Sequence, residues 1–191
     1  MPIPLSNQPS GFFFGNRAAN VQIDLFLDIQ CPYSAKTWPV AREVMSHFGT
    51  QVIGLSVHLL TLSNHRQSWD VTKGLFGLAG TDHGLFFKFA DFLYANQARF
   101  YNGSFADRTH NDLLKLIAEL GQEFDGTDPA KMMTLLNNDK VYYKAKEPGR
   151  YAALRGVWST PTIFINHAEQ MSLGSSSTLS DWQAIVDPLL S

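Results

Sequence analysis

Along residues 21–29 the apolar positions Val21, Ile23, Leu25, Leu27 and Ile29 fall on one side of an extended chain, and Phe26 adds an apolar residue to the other. A strand apolar on both sides is central in its sheet. The period changes at Cys31-Pro32, where a helix can begin, because a proline just inside a helix start removes an N–H that has no partner within the helix. From there to about residue 47, Trp38, Val40, Val44, Met45 and Phe48 follow helical spacing, with Gly49 as the stop and Pro39 predicting a bend near the middle. A second strand is expected over residues 51–60.

Residues 64–80 are the least regular, and Gly74-Leu75-Phe76-Gly77 within them fits either a last helical turn or a loop. Three helical patterns follow: residues 83–96 with Phe86, Phe89, Ala90 and Leu93, residues 109–120 with Leu113, Leu116, Ile117 and Leu120, and a third capped and opened by Asp128-Pro129 and running through Leu136. Residues 141–155 are expected to be helical, interrupted or restarted at Pro148-Gly149. Strands return at residues 162–166 and about 170–173. Ser180 with Gln183 has the capping-box spacing for a final helix over residues 181–189.

At 191 residues the chain suits one domain carrying an insertion. A hydrophobic content of 45%, a charged content of 17% and a formal charge of -2 indicate a chain that folds. No basic run or interleaved arginine and aromatic platform recruits nucleic acid. Residues 1–15 hold three prolines and a short Phe12-Phe13-Phe14 run without a basic segment ahead of it, so no secretory signal is expected, and no uncharged apolar run reaches the roughly 20 residues a membrane span needs. A cytoplasmic location is the default, and an extracytoplasmic mature form would carry the same sequence. The six histidines His47, His58, His65, His83, His110 and His167 show no paired metal spacing, and no resident cofactor or metal is expected. No Gly-x-Ser-x-Gly elbow supports a serine hydrolase.

Cys31 is the only cysteine, which excludes an internal disulfide framework. At a helix N-terminus its sulfur faces free N–H groups and the positive end of the macrodipole, so the thiolate is favoured and the pKa is expected below the free value of about 8.5. Ser34, three residues on, is placed to hydrogen-bond the thiolate. Trp38 and Trp158 flank this position, and His65 or His83 are candidates for a cleft between the domains, with a solvated loop as the plainer place for either. Phe87 and Tyr94 share a face away from the Phe86, Phe89 and Leu93 stripe and are the residues to inspect for exposure.

Three stretches resemble the DsbA-like branch of the thioredoxin superfamily. They are Gly15-Asn16-Arg17-Ala18-Ala19-Asn20 with the strand leading to Asp28-Ile29-Gln30-Cys31-Pro32-Tyr33, then Pro39 eight residues after the cysteine, then Gly156-Val157-Trp158-Ser159-Thr160-Pro161-Thr162-Ile163-Phe164-Ile165-Asn166. The element order agrees with the α/β thioredoxin fold with an all-helical insertion after its second core strand. Residues 12–62 and 156–191 would form the thioredoxin-like part and residues 63–155 the insertion. The resemblance implies that Cys31 and Ser34 are catalytic and that Pro32, Tyr33, Thr160 and Pro161 bind substrate. A cis peptide before Pro161 would present the backbone of Thr160 to glutathione or an extended peptide by strand addition.

Two positions depart from that family. Ser34 stands where a resolving cysteine would be, so the chain alone cannot store two oxidising equivalents. Leu25 stands where the family places a buried carboxylate beneath the site, while Asp24 should point to the opposite face, leaving Asp24 or Asp28 as substitutes. Pro32-Tyr33-Ser34 is also similar to kappa-class glutathione transferases and 2-hydroxychromene-2-carboxylate isomerases. Three readings stay open: a monothiol oxidoreductase exchanging Cys31 with glutathione or protein disulfides, a non-catalytic peptide-binding module, and a kappa-like transferase or isomerase.

Overall fold

The computed structural model of the chain describes residues 9–190. The expectations placed on residues 1–8, including that of no secretory signal, lie outside the described residues. Five strands form one sheet in the order β1-β3-β2-β4-β5. β1 (Phe12–Gly15) pairs antiparallel with β3 (Ile53–Leu59), and β2 (Val21–Leu27) pairs parallel with β3 and antiparallel with β4 (Thr162–Ile165). The two-residue β5 (Ala168–Glu169) closes one edge. β2 is central, with Val21, Ile23, Leu25 and Leu27 buried on one face and Phe26 on the other, as its two-sided apolar pattern requires.

α1 (Pro32–Val52) joins β2 to β3. Between β3 and β4 come α2 (Ser68–Ala79), α3 (His83–Ala95), α4 (His110–Asp125), α5 (Pro129–Leu136) and α6 (Asp139–Leu154), and α7 (Leu179–Val186) is followed by a 3-10 turn over Asp187–Leu189. This is the α/β thioredoxin architecture with helices inserted after the second core strand. A continuous apolar core runs from β2, β3 and α1 into the inserted helices. Phe12 stacks on Phe86 with ring centroids 3.9 Å apart, coupling the edge strand to α3, and the Phe13 N–H donates to His83 Nδ1 at 3.1 Å. His83 is thus a tie between β1 and α3, and burial, with the charges of Arg17 and Lys144 against that of Asp82, lowers its pKa.

Several local expectations are corrected. The Phe12-Phe13-Phe14 run forms β1, a strand that an unalternated triplet does not announce. The segment with Gly74 and Gly77 is a 12-residue helix, α2. A Cβ on Gly74 would sit 2.6 Å from Ile117 Cγ2 and one on Gly77 3.0 Å from Leu135 Cβ, so these glycines let α2 approach α4 and α5 closely. Gly49 does break the helix as expected, with φ of 70° and ψ of 179°, but helical residues resume beyond it to Val52, directly before β3. α6 continues through Pro148 and Gly149. The strand expected at residues 170–173 is replaced by β5 just before it. Thr178, not Ser180, caps α7, paired with Asp181 in a capping box. Phe87 and Tyr94 are buried, because both rings pack on Trp38 at centroid distances of 5.9 and 5.4 Å.

Candidate active site around Cys31

Parallel β2 and β3 both end at the same edge of the sheet, and the loop after β2 delivers Cys31 to the N-cap of α1. Pro32 has no N–H, so the Tyr33 and Ser34 backbone N–H groups are the first of the helix, and neither has a carbonyl one turn earlier within it. The sulfur is set back from the surface, with only 2% of the residue exposed. Its hydrogen-bond partner is the Thr160 carbonyl, 3.5 Å from Sγ. The Thr160-Pro161 peptide is cis, and the Thr160 hydroxyl, buried, has no hydrogen-bond partner among the described residues.

Cys31, Pro32, Tyr33, Leu62, Asn64, His65, Trp158 and Thr160 are among the residues lining one cleft of about 480 Å³. Tyr33 and Trp158 stand out from its rim, 57% and 83% exposed. Such aromatic rims offer area and a polar tip to an incoming chain. Trp38 is instead a core residue: it is 3% exposed and its indole N–H donates to Asp91 at 2.6 Å. Pro161 is partly buried behind Thr160. The Ser34 hydroxyl is turned under the loop, where its oxygen accepts the Asp28 N–H at 3.1 Å, and it makes no bond to the sulfur.

The most densely bonded side chain here is Asp28, which is fully buried. Its Oδ1 accepts from the Gln30 N–H at 2.8 Å and the Ser68 hydroxyl at 2.6 Å. Its Oδ2 accepts from the Leu62 N–H at 2.7 Å and from His65 Nδ1 at 2.9 Å. A buried carboxylate with four donors is a fixed anchor for the elements that supply them. Amide side chains brace the same region. Gln97 Nε2 donates to the Ile29 and Cys31 carbonyls at 2.9 and 3.0 Å. Gln30 donates to Gln67 and Asn102 at 2.9 Å each, and Asn102 donates to the Asn64 carbonyl at 2.7 Å. The Tyr94 hydroxyl donates to the Asp28 carbonyl at 3.4 Å, and burial, with Asp28 and Cys31 nearby, raises its pKa well above the ordinary phenol value.

The sequence reading brings Cys31, Pro32, Tyr33 and Thr160 to one cleft, with Ser34 beneath it and Pro161 behind. Gln30, within the Cys31 stretch, and Gln67, Gln97, Asn102 and Ser68, outside any motif, are polar residues to which the sequence assigns no role at the site. His65 does line the cleft, whereas His83 is taken up by β1. Leu25 lies buried on the strand where the family keeps a carboxylate, and Asp24 turns to the other face, 3.0 Å from His58 Nε2. Among the described residues no group of three or more potential ligands could hold a metal ion.

A family model described as thioredoxin matches residues 7–188. Among solved structures, a candidate protein-disulfide isomerase from Pseudomonas syringae is 18% identical and superposes with a TM-score of 0.78, covering 94% of this chain and 97% of that one. Oxidised BdbD from Bacillus subtilis is 16% identical with a TM-score of 0.72, covering 95% and 97%. The thiol-disulfide exchange protein alpha-DsbA2 from Wolbachia pipientis is 19% identical with a TM-score of 0.67, covering 94% and 87%. At such identities the likeness is one of fold. The Na(+)/H(+) antiporters NhaA 1 of Mycobacterium sp. strains KMS and JLS are 24% identical over 139 residues, which is 73% of this chain and 21% of theirs. The chain thus spans about a fifth of the length of these curated relatives. No helix among the described residues is long and apolar enough to cross a membrane.

Proposed function

The chain belongs to the thioredoxin family, and from that premise we propose that it is a single-thiol thiol-disulfide oxidoreductase acting through Cys31. The observation that carries the reading is the placement of the Cys31 sulfur at the N-cap of α1, 3.5 Å from the Thr160 carbonyl and inside an aromatic-rimmed cleft. In the exchange, the sulfur attacks one sulfur of a partner disulfide. A mixed disulfide forms, the partner's S–S bond breaks, and the second partner sulfur leaves as a thiol. Helix N-termini as a class favour an anion, and Cys31 sits at that of α1 with no capping bond from its sulfur in this state, while the Ser34 hydroxyl anchors the loop. With serine at that position, a thiol from solution must resolve the mixed disulfide.

The partner in this reading is glutathione disulfide or an extended peptide carrying a disulfide. The Thr160 backbone and its unpartnered hydroxyl offer a polar ledge to such a chain, and Pro32, Tyr33, Leu62 and Trp158 supply apolar walls. The test is to incubate the protein with glutathione disulfide across pH and follow the intact mass, with Cys31→Ser alongside. One glutathione adduct at neutral pH, absent in Cys31→Ser, is the expected result. No adduct, with peptide binding unchanged in Cys31→Ser, would replace this reading by a binding module. Transfer of glutathione to an electrophile that survives in Cys31→Ser would replace it by a kappa-like transferase.

A further inference from the structure

A thiol that attacks and a thiolate that leaves both require a proton to move, and the groups usually available for this are absent. The Thr160 carbonyl accepts a hydrogen bond from the Cys31 thiol but is far too weak a base to take its proton. Leu25 places no carboxylate beneath the sulfur, and Asp24 is committed to His58 on the far face of the sheet. One group with a free basic atom does reach the cleft. We infer that His65, oriented by Asp28, is the proton-transfer residue of the Cys31 exchange; the inference rests on the reading of Cys31 as an exchange thiol.

The geometry behind it is specific. Asp28 engages His65 through Nδ1 at 2.9 Å. A carboxylate facing four donors is acceptor-only, so Nδ1 carries the hydrogen and, in the neutral ring, Nε2 keeps the lone pair. Nε2 has no partner among the described residues, and the side chain lies on the cleft wall shared with Cys31, 13% exposed. The ring is held on both sides. Asp28 is fixed by Gln30, Ser68 and the Leu62 N–H, and the His65 N–H closes the turn onto the Leu62 carbonyl at 3.0 Å. The charged and titratable groups around it are Asp28, Cys31 and Tyr33 at the start of α1, Arg66 next in the chain, whose guanidinium bonds the Asn102 carbonyl, and Tyr94 on α3. The facing segment of Trp158, Ser159 and Thr160 carries no charge.

The step balances without another reagent. His65 Nε2 takes the proton from the Cys31 thiol, directly or through one water. The sulfur's electron pair forms the bond to the nearer partner sulfur, and the partner's S–S electrons pass to the leaving sulfur. Nε2–H then returns the proton to that thiolate. The Cys31 thiol is oxidised to the mixed disulfide and the partner disulfide is reduced. Imidazole is suited to both transfers near neutral pH.

The test compares two disulfides of different leaving-group basicity. Glutathione disulfide releases a basic thiolate that gains from protonation, and an activated aryl disulfide such as 5,5'-dithiobis(2-nitrobenzoate) releases a stable thiolate that does not. Rate constants for Cys31 are measured between pH 5 and 9 in the unsubstituted protein and in His65→Gln, whose folding is checked by thermal melting. His65→Gln should slow the glutathione reaction at pH 7 by about a hundredfold, the low end of what general acid-base catalysis supplies. It should slow the aryl reaction far less. Equal slowing of both reagents, as a displaced loop would give, or no slowing of either, overturns the assignment. If the unsubstituted protein reacts with neither disulfide, the reading of Cys31 falls, and the role of His65 falls with it. Asp28→Asn serves as the second variant. It should reproduce the selective loss in the glutathione reaction, and unaltered selectivity in a folded Asp28→Asn protein would also count against the assignment.

Discussion

Two Asp–His pairs sit along strand β2 and just past its C-terminal end, and they are wired differently. On the face covered by α6, Asp24 pairs with His58 Nε2 at 3.0 Å, and His58 Nδ1 meets the Ser10 hydroxyl at 3.4 Å. Phe26 and Tyr151 lie against that ring with centroids 4.8 and 4.7 Å away, and the imidazole is 2% exposed. At the C-terminal end of the same strand the burial is reversed: Asp28 is the sealed partner, and His65 opens onto the Cys31 cleft with Nε2 unengaged. The chemistry of the pair is the same in both places. A histidine bonded at both nitrogens under aromatic rings is a structural cross-link, whereas one bonded at a single nitrogen beside a thiol has a basic atom left for reaction.

The largest effect should come from Asp28→Ala, which strands the Gln30 and Leu62 N–H groups, the Ser68 hydroxyl and His65 together. Breaking a buried, hydrogen-bonded charge costs about 3–5 kcal/mol, and urea unfolding should show a loss of that order. A loss under about 1 kcal/mol would mean that the carboxylate does not anchor the loop. Next, His58→Phe keeps much of the ring shape but leaves Asp24 short of a partner, and should cost about 1–3 kcal/mol. Its rate with glutathione disulfide should stay at the unsubstituted value. A slowed rate would erase the contrast between the two pairs.

The smallest effect is a pH dependence on the α6 side. Burial raises the Asp24 carboxyl, but the hydrogen bond and charge of His58, with Arg155 and Tyr151, outweigh it and leave the pKa below its ordinary value of 3.8. A carboxyl depressed in the folded state contributes stability that is present above its unfolded pKa and is lost as pH falls through the folded value. Unfolding free energy should therefore decline below about pH 4, and Asp24→Asn should remove part of that slope. An unchanged slope in Asp24→Asn would place the acid sensitivity elsewhere.

Most of the framework was legible because local periodicity carried it. The two-sided apolar run of β2, the change of period at Cys31-Pro32 and the Asp128-Pro129 helix start each depend on neighbours in the chain. What escaped depended on distant packing. Gly74 and Gly77 weaken a helix locally and are tolerated because α4 and α5 come close, and Phe87 and Tyr94 occupy a second helical face that packs on Trp38. At the site, Cys31 and the Thr160-Pro161 segment were marked by motif. Asp28 stood in the Cys31 stretch as a substitute carboxylate and His65 as a cleft candidate, but their pairing was not marked, since the partners are 37 residues apart and no spacing signals it. The polar residues Gln30, Gln67, Gln97 and Asn102 acquire meaning only once the loops after β2 and β3 are brought side by side.

The central claim is that one thiol performs the exchange and then waits. Reacting the reduced protein at pH 7 with the disulfide-linked dimer of a single-cysteine peptide, removing the peptide thiol that is released, and following intact mass over time tests this directly. The account predicts a one-peptide adduct on Cys31 that persists until an external thiol is added and then disappears. No adduct, or release of the peptide without an added thiol, would contradict it.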